Sequence, residues 1–146
     1  MTQPPFAGLR ILSVENDALN AEAMKCLLEM QGALVLGPVG QVQEALTLID
    51  RDRPDLALVD FRLNGETIEP VIDALKARII PFVLVTACAP CLMPSEYSGM
   101  PTVVKPFMVE DLYRAVSEVR VVNSPAASSQ RQGVADLVAE LRSQHA

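Results

Sequence analysis

The sequence predicts a three-layer α/β sandwich built on a five-stranded parallel sheet. Five short apolar runs alternate with stretches whose apolar residues recur at helical spacing. These runs are residues 11–14, 33–36, 56–59, 82–85 and 103–104. Continuous apolar runs are typical of strands buried on both faces, as in parallel sheets. Repeated strand–helix units indicate that helices cover both faces of such a sheet.

The composition fits one globular domain. The chain has 146 residues, of which 50% are hydrophobic and 21% charged, enough to bury a real core. Its net charge of −6 argues against a broad basic surface for nucleic acid. No apolar stretch approaches the roughly 18 residues of a membrane span, and no signal-peptide pattern opens the chain. The chain has three cysteines, an odd number that does not fit the paired disulfide framework of a secreted protein. We therefore expect a cytoplasmic protein with neither nucleic-acid nor membrane partners.

The first two strand–helix units lie within residues 10–54. A strand over residues 10–15 precedes a helix over residues 18–30, and a second strand over residues 33–36 closes at Gly37-Pro38. The predicted core stripe of the first helix is Leu19, Ala23, Leu27 and Met30. A second helix ends at Asp52-Arg53-Pro54, and its predicted core stripe is Val42, Ala45, Leu46 and Ile49.

The third unit spans residues 56–79. Its strand runs to Asp60, Asn64-Gly65 supplies a turn, and its helix tolerates Pro70 only in the first turn. The predicted core stripe of this helix is Ile68, Val71, Leu75 and Ile79. A fourth strand over residues 82–86 follows directly.

The pattern breaks between Thr86 and Lys105, where another helix would be due. Three prolines interrupt this segment, namely Pro90, Pro94 and Pro101, and a long helix does not survive them. We expect a reduced or absent helix, with at most one turn near residues 95–97. A fifth strand over residues 102–105 leads into a helix whose core stripe is Leu112, Ala115, Val116 and Val119.

Residues 9–121 form the predicted domain. Residues 122–133 are predicted as a Ser/Ala/Gln-rich linker, and residues 134–146 as an amphipathic tail helix. The sole histidine, His145, lies in this tail and is not expected to accept a phosphoryl group. The residues that follow the domain are too few for a DNA-binding module, so we expect output through protein contact.

Right-handed crossovers favour the flavodoxin-like strand order 2-1-3-4-5, in which strands 1 and 3 meet where the order reverses. Ligands of such sheets bind beyond the carboxyl ends of the strands at this point. Glu15, Asn16 and Asp60 would lie side by side there, while Thr86 and Lys105 end the fourth and fifth strands. Acid, amide, hydroxyl and ammonium groups together make a site for a metal ion and a phosphoryl group.

Four motifs in this order resemble the CheY-like receiver domain of bacterial two-component response regulators. They are Glu15-Asn16-Asp17, the strand-ending Asp60, Thr86 followed by small Ala87, and Lys105-Pro106-Phe107. The resemblance covers roughly residues 9–121.

Further stretches resemble the FAT GUY single-domain subgroup, which has a reduced fourth helix. They are Asn64-Gly65-Glu66 through Pro70, then Ile80-Pro81-Phe82, and the short segment from Pro101 to Phe107. The subgroup's motif is eroded, since Leu84, Ala87 and Cys88 stand where Phe, Gly and Tyr are expected. The subgroup is associated with general-stress and HWE-type histidine kinases. The resemblance therefore implies a histidine kinase, of HWE type, or a phosphotransfer protein as the phosphoryl donor, and an unidentified downstream protein as a further partner.

The resemblance implies a role for each motif residue. Asp60 would accept phosphoryl from a kinase phosphohistidine, as a phosphoacceptor rather than an enzyme, and the chain would assist its own phosphotransfer and dephosphorylation. Mg²⁺ would be held by Asp60, the Asn16 side chain, the backbone carbonyl of Arg62 and waters held by Glu15, unless the longer Glu15 reaches the metal directly. The phosphoryl-binding residues would be Thr86, Ala87 and Lys105, with a cis peptide bond before Pro106.

Two residues depart from the family pattern. Asn16 stands where a second acid is usual, so Mg²⁺ affinity should fall. Thr102 stands where many receivers have an aromatic residue that rotates inward on activation. Tyr97 could substitute for that aromatic, although a surface tyrosine is the expected reading. These departures favour the alternative of a pseudo-receiver that binds proteins without phosphorylation, while Asp60, Thr86 and Lys105 oppose it.

Other signals compete with this reading. Cys88 and Cys91 form a C-x-x-C that could be a redox site or a regulatory disulfide beside Asp60. A zinc site would need further ligands, for which only Cys26 and His145 remain. A flavodoxin-like cofactor binder is disfavoured, because no Gly-rich or hydroxyl-rich phosphate loop follows the first strand.

Overall fold

A computed structural model describes residues 4–63, 65–87, 94–97 and 99–123 of the chain. The strands are β1 Arg10–Val14, β2 Leu34–Val39, β3 Leu56–Asp60, β4 Phe82–Thr86 and β5 Thr102–Val104. They form a five-stranded sheet in the order β2-β1-β3-β4-β5. The α-helices of the described residues are α1 Ala18–Met30, α2 Val42–Asp52, α3 Glu69–Ala77 and α4 Val109–Asn123. The predicted α/β class and strand order are confirmed.

By its internal contacts the chain divides into two compact units, Met1–Phe82 and Val83–Ala146. The first unit is built around β1 and β3, which pair in parallel with Val14 opposite Val59. Both strands are buried except at Arg10, which begins β1, and Asp60, which ends β3. Helices α1 and α2 pack against β1. Helices α2 and α3 also pack against each other. Buried apolar side chains of these strands and helices stabilise the unit.

The predicted core stripe of α1 is wrong. Leu19 is 80% exposed and Met30 is 76% exposed, whereas the buried residues of this helix are Ala21 and Leu28. The helix carries apolar residues on two opposite sides, so periodicity alone fitted either face. The sheet takes the side of Leu28, and the side of Leu19 faces solvent.

The C-terminal end of α3 also differs from the prediction. The helix ends at Ala77, and Ile79 adopts a left-handed φ of 56° and is 72% exposed. Helical spacing no longer applies after the last turn, so the chain buries Ile80 instead. The other predicted core residues, Ile68, Val71 and Leu75, are buried.

Strand β2 is longer than predicted, because it continues through Gly37-Pro38 to Val39. Leu12 pairs with Leu36 but Val14 pairs with Val39, so β2 contains an irregularity that absorbs one extra residue. Gly37 lies in this irregularity at φ 91°, where a Cβ atom would stand 2.9 Å from the Val39 nitrogen. A proline is tolerated here because β2 is an edge strand. The Gly37-Pro38 peptide bond is cis.

In the second unit, β4 is buried throughout and pairs in parallel with β5. A 3-10 turn over Ser95–Tyr97 stands where one turn was predicted. Helix α4 packs against β5 and buries the predicted stripe of Leu112, Ala115, Val116 and Val119. The helix extends to Asn123, past the predicted start of the linker at residue 122.

Several predictions fall outside the described residues. These are the turn at Asn64, the Cys88–Cys91 motif, the linker from residue 124, the tail helix and His145. Within the ranges that are described, no helix is both long and apolar enough to cross a bilayer.

Candidate functional site

Two acids leave the sheet at corresponding positions of neighbouring strands. Val14 pairs with Val59. Glu15, which follows β1, and Asp60, which ends β3, therefore lie at the same level of the sheet. Glu15 is a buried acid with 8% exposure, and its backbone N–H donates 2.8 Å to the Val39 carbonyl. The strand pairing therefore brings together the acids that the sequence placed at this edge.

The carboxylate of Asp60 is oriented by its own loop. Its Oδ1 accepts a hydrogen bond of 2.9 Å from the backbone N–H of Arg62, an Asx-type turn. The loop closes further on, where the Glu66 N–H donates 2.7 Å to the Leu63 carbonyl. Asp60 is half-buried at the end of β3, while Arg62 is exposed. The turn fixes one carboxylate oxygen and leaves the side chain at the carboxyl edge of the sheet.

Asn16 and Asp17 serve different purposes. Asp17 is the N-cap of α1, where its Oδ1 accepts a hydrogen bond of 2.9 Å from the Asn20 N–H. Asn16 is half-buried, and Gly40 packs directly on its backbone. The cap holds Asp17 at the helix, whereas Glu15 and Asn16 precede it at the carboxyl end of β1.

In the second unit, Thr86 and Lys105 are neighbours. The backbone N–H of Lys105 donates 2.7 Å to the Thr86 carbonyl, continuing the pairing of Thr86 with Val104. Thr86 is 1% exposed, Lys105 is half-buried and Ala87 is exposed. The Lys105-Pro106 peptide bond is cis, which confirms that prediction.

The first unit offers oxygen donors of the kind that Mg²⁺ takes. Glu15 and Asp60 supply carboxylates, Asn16 an amide oxygen and Arg62 a backbone carbonyl. Mg²⁺ in proteins is usually bound through one or two carboxylates, with water and substrate oxygens completing the octahedron. The described ranges hold no cluster of three or more His, Cys, Asp and Glu side chains that could hold a metal. The donor set therefore fits Mg²⁺ with two acids and not a closed protein cage.

Tyr97 and Thr102 are the two residues considered above in relation to an aromatic switch. Tyr97 was expected at the surface, but it is 8% exposed in its 3-10 turn. A phenol ring is largely apolar, so its burial in this short turn is favourable. Thr102 donates its hydroxyl to the Met100 carbonyl at 2.9 Å. Its side chain is thus engaged in a local hydrogen bond at the start of β5.

Sequence reasoning missed two residues of the first unit, Gly40 and Glu66. Oε1 of Glu66 accepts 3.4 Å from the N–H of Val42, which opens α2. One sequence signal pointed to such a contact: Gln41 is a poor N-cap residue and makes no side-chain cap hydrogen bond. The first N–H groups of a helix without a capping side chain bond to acceptors from outside the helix. No spacing in the sequence, however, identifies Glu66 as that acceptor.

Among the described residues, Cys26 is a free and exposed cysteine, with its Sγ 3.9 Å from Oε1 of Glu22.

A cavity of about 350 Å³ lies between β5 and α4 in the second unit. Its lining includes Thr102, Phe107 and Arg114, and none of the predicted phosphoryl-binding residues. The cavity is therefore a separate feature from the strand-end residues.

No family model matches the chain. The chain is 29% identical over 111 residues to the transcriptional regulatory protein PdtaR of Mycobacterium tuberculosis, covering 73% of this chain and 54% of PdtaR. It spans about half the length of the curated relatives it matches.

Two solved structures match the chain over nearly all of their own length. The solution structure of SdrG from Sphingomonas melonis is 31% identical, with a TM-score of 0.68, covering 82% of this chain and 98% of SdrG. The receiver domain of a sensor histidine kinase from Pseudomonas aeruginosa, solved with a magnesium ion in its active-site cleft, is 26% identical. Its TM-score is 0.66, and the match covers 77% of this chain and 98% of that domain.

Proposed function

Because the chain belongs to the receiver domains of response regulators, we propose that it accepts a phosphoryl group on Asp60. The donor is a histidine kinase, of the HWE type by resemblance, or a phosphotransfer protein. The observation that carries the proposal is the strand pairing of Val14 with Val59, which sets Glu15 and Asp60 side by side. A nucleophile beside a second acid can hold a divalent cation next to the attacking oxygen, where it assists phosphoryl transfer.

The transfer is a displacement at phosphorus. A carboxylate oxygen of Asp60 attacks the phosphorus of the donor phosphohistidine, the P–N bond breaks, and the imidazole leaves with the bonding electrons and takes up a proton. The product is an acyl phosphate on Asp60. The Asx turn with Arg62 supports this role, because it holds one carboxylate oxygen in place at 2.9 Å from the Arg62 nitrogen.

Mg²⁺ bound through Asp60, Asn16, the Arg62 carbonyl and Glu15 would neutralise charge on the phosphoryl oxygens. Glu15 is buried and its backbone N–H donates to the Val39 carbonyl, so burial and this hydrogen bond fix where the residue lies. Asn16 contributes an oxygen but no charge, so we propose that metal affinity is lower than with two acids in this loop.

Thr86, Ala87 and Lys105 are proposed to bind the phosphoryl oxygens. Thr86 supplies a hydroxyl donor, Lys105 a point positive charge, and the small Ala87 keeps the approach open. The hydrogen bond from the Lys105 N–H to the Thr86 carbonyl supports a joint role, since it ties their backbones together. The chain would thereby assist its own phosphotransfer and dephosphorylation as a phosphoacceptor rather than an enzyme.

The output is proposed to be protein contact, or storage of phosphoryl as a phosphate sink. A line of exposed residues along α1 supports protein contact: it consists of Leu19, Ala23, Cys26 and Met30. Leu19 and Met30 are the large apolar side chains of this line, and an exposed apolar stripe favours a surface that a partner covers.

A second candidate is a pseudo-receiver that binds partners without phosphorylation. Asn16 and Thr102, at positions where the family has an acid and an aromatic residue, favour it. Intact mass spectrometry after incubation with acetyl phosphate and Mg²⁺ separates the two candidates. The receiver gains one phosphoryl group, which Asp60→Asn abolishes, whereas the pseudo-receiver gains none at any Mg²⁺ concentration.

A further inference from the structure

The junction between β2 and α2, residues 39–42, touches both loops that carry the proposed metal ligands. On one side, the Val39 carbonyl accepts 2.8 Å from the N–H of Glu15. On the other side, the Val42 N–H donates 3.4 Å to Oε1 of Glu66, in the loop that follows Asp60. The junction is therefore a bridge between the loop after β1 and the loop after β3.

Gly40 brings the junction into direct contact with Asn16. A Cβ atom at Gly40 would lie 3.1 Å from the Cα of Asn16 and 3.5 Å from the Glu15 carbonyl oxygen. The nearer contact is with backbone, which cannot rotate out of the way as a side chain can. A methyl group at Gly40 would thus push on the backbone that presents the Asn16 amide.

Glu66 fastens the other end of the bridge. Because Gln41 makes no side-chain cap hydrogen bond, the first N–H groups of α2 need an acceptor from outside the helix. The Glu66 carboxylate meets one of them, and its negative charge suits the positive end of the helix dipole. Glu66 also pairs with Leu63 in a bridge that closes the Asp60 loop. One side chain therefore ties the Asp60 loop to α2.

The irregularity in β2 determines where the junction starts. The shift from Leu12–Leu36 pairing to Val14–Val39 pairing displaces β2 by one residue relative to β1. This displacement places the Val39 carbonyl opposite the N–H of Glu15 and the following Gly40 over Asn16. The bridge is thus built into the strand pairing and does not depend on a mobile side chain at that end.

We infer that the 39–42 junction is a positioning element for the metal site, in which Gly40 and Glu66 are positioning residues. Together they set the separation between the Asn16 amide and the loop of Asp60 and Arg62. Neither residue is proposed to touch Mg²⁺ or the phosphoryl group. This inference rests on the proposed function, and it assigns to that function two residues that its motifs do not contain.

The test is a Mg²⁺ titration of the full chain, followed by amide NMR shifts of residues in the loops after β1 and β3. The variants are Gly40→Ala, Glu66→Ala and Glu66→Gln. Glu44→Ala is the matched control, because Glu44 is an exposed acid in the first turn of the same helix but has no contact with the Asp60 loop among the bonds described. Urea unfolding without Mg²⁺ measures the structural cost of each change.

Gly40→Ala and Glu66→Ala should each raise the Mg²⁺ midpoint about tenfold, the usual effect of losing an outer-shell support. Glu66→Gln keeps the acceptor oxygen and should stay within about twofold of the wild type, as should Glu44→Ala. This pattern separates positioning from simple loss of negative charge, which Glu66→Gln and Glu44→Ala share with Glu66→Ala.

The inference is overturned if the wild type binds Mg²⁺ and is phosphorylated while Gly40→Ala and Glu66→Ala leave the midpoint unchanged. It is also overturned if Glu66→Gln or Glu44→Ala weakens binding as much as Glu66→Ala does. If the wild type neither responds to Mg²⁺ nor accepts phosphoryl from acetyl phosphate, the proposed function itself fails. Glu66 is exposed, so its variants remain informative even if Gly40→Ala does not fold.

Discussion

The backbone N–H of Arg62 donates a hydrogen bond of 2.9 Å to Oδ1 of Asp60, so the proposed nucleophile also shapes its own loop. Asp60→Asn and Asp60→Ala both remove the charge, but only asparagine keeps an acceptor at Oδ1. Asp60→Ala should therefore be less stable than Asp60→Asn by about 1 kcal/mol, the usual net value of one hydrogen bond. Urea unfolding of the two variants measures this difference, and equal midpoints would show that the turn adds no stability.

Charge at Asn16 should control metal affinity. Asn16→Asp adds a negative charge beside Glu15 and Asp60, so we expect the Mg²⁺ midpoint to fall by about tenfold. The amide NMR titration measures it. Asp17→Asn is the control, because this side chain is already held as the N-cap of α1 and asparagine caps equally well. An unchanged midpoint in Asn16→Asp would place the metal away from this loop.

Two leucines of α1 give a matched test of which face of the helix is buried. Leu28 is fully buried and Leu19 is 80% exposed. Leu28→Ala should lower the free energy of unfolding by about 3 kcal/mol, whereas Leu19→Ala should change it by less than about 0.5 kcal/mol. Urea unfolding of the two variants measures these changes, and equal losses of stability would contradict the burial of the Leu28 side of the helix.

Stability should decline in alkali through Tyr113. Burial, with a smaller contribution from the charge of Glu110, raises the pKa of Tyr113 to about 12 from 10.0. The unfolded chain therefore releases the phenol proton at a lower pH than the folded chain does. The stabilising contribution of the Tyr113 proton is fully present below pH 10 and is lost between pH 10 and about 12. Unfolding monitored by circular dichroism across this range should show a steeper loss in the wild type than in Tyr113→Phe. Parallel curves would mean that Tyr113 titrates normally.

The sequence predicted α4 and α1 with unequal success, for a physical reason. The apolar residues of α4 occupy one face only, so the stripe of Leu112, Ala115, Val116 and Val119 had a single reading. Helix α1 is apolar on both sides, and tertiary packing decided between them. The prediction that Ile79 is a core residue was wrong for a different reason. It extended helical spacing past Ala77, where α3 ends.

The strand ends were predictable because short apolar runs fix where each strand stops. Asp60 and Thr86 end their strands in the structure as the sequence indicated. The 39–42 junction was not predictable, because it depends on an irregular pairing in β2 and on Glu66, which meets Val42 from a distant part of the chain. Contacts of this kind follow from three-dimensional packing and leave no spacing in the sequence.

The most direct test of the central claim is chemical trapping of the acyl phosphate. Hydroxylamine attacks the carbonyl carbon of an aspartyl phosphate, releases inorganic phosphate and leaves a hydroxamate on that residue. After incubation with acetyl phosphate and Mg²⁺, followed by hydroxylamine, peptide mass spectrometry should find the hydroxamate on Asp60. Omitting acetyl phosphate should remove it. A hydroxamate on a different residue, or none at any Mg²⁺ concentration, would contradict Asp60 as the phosphoryl acceptor.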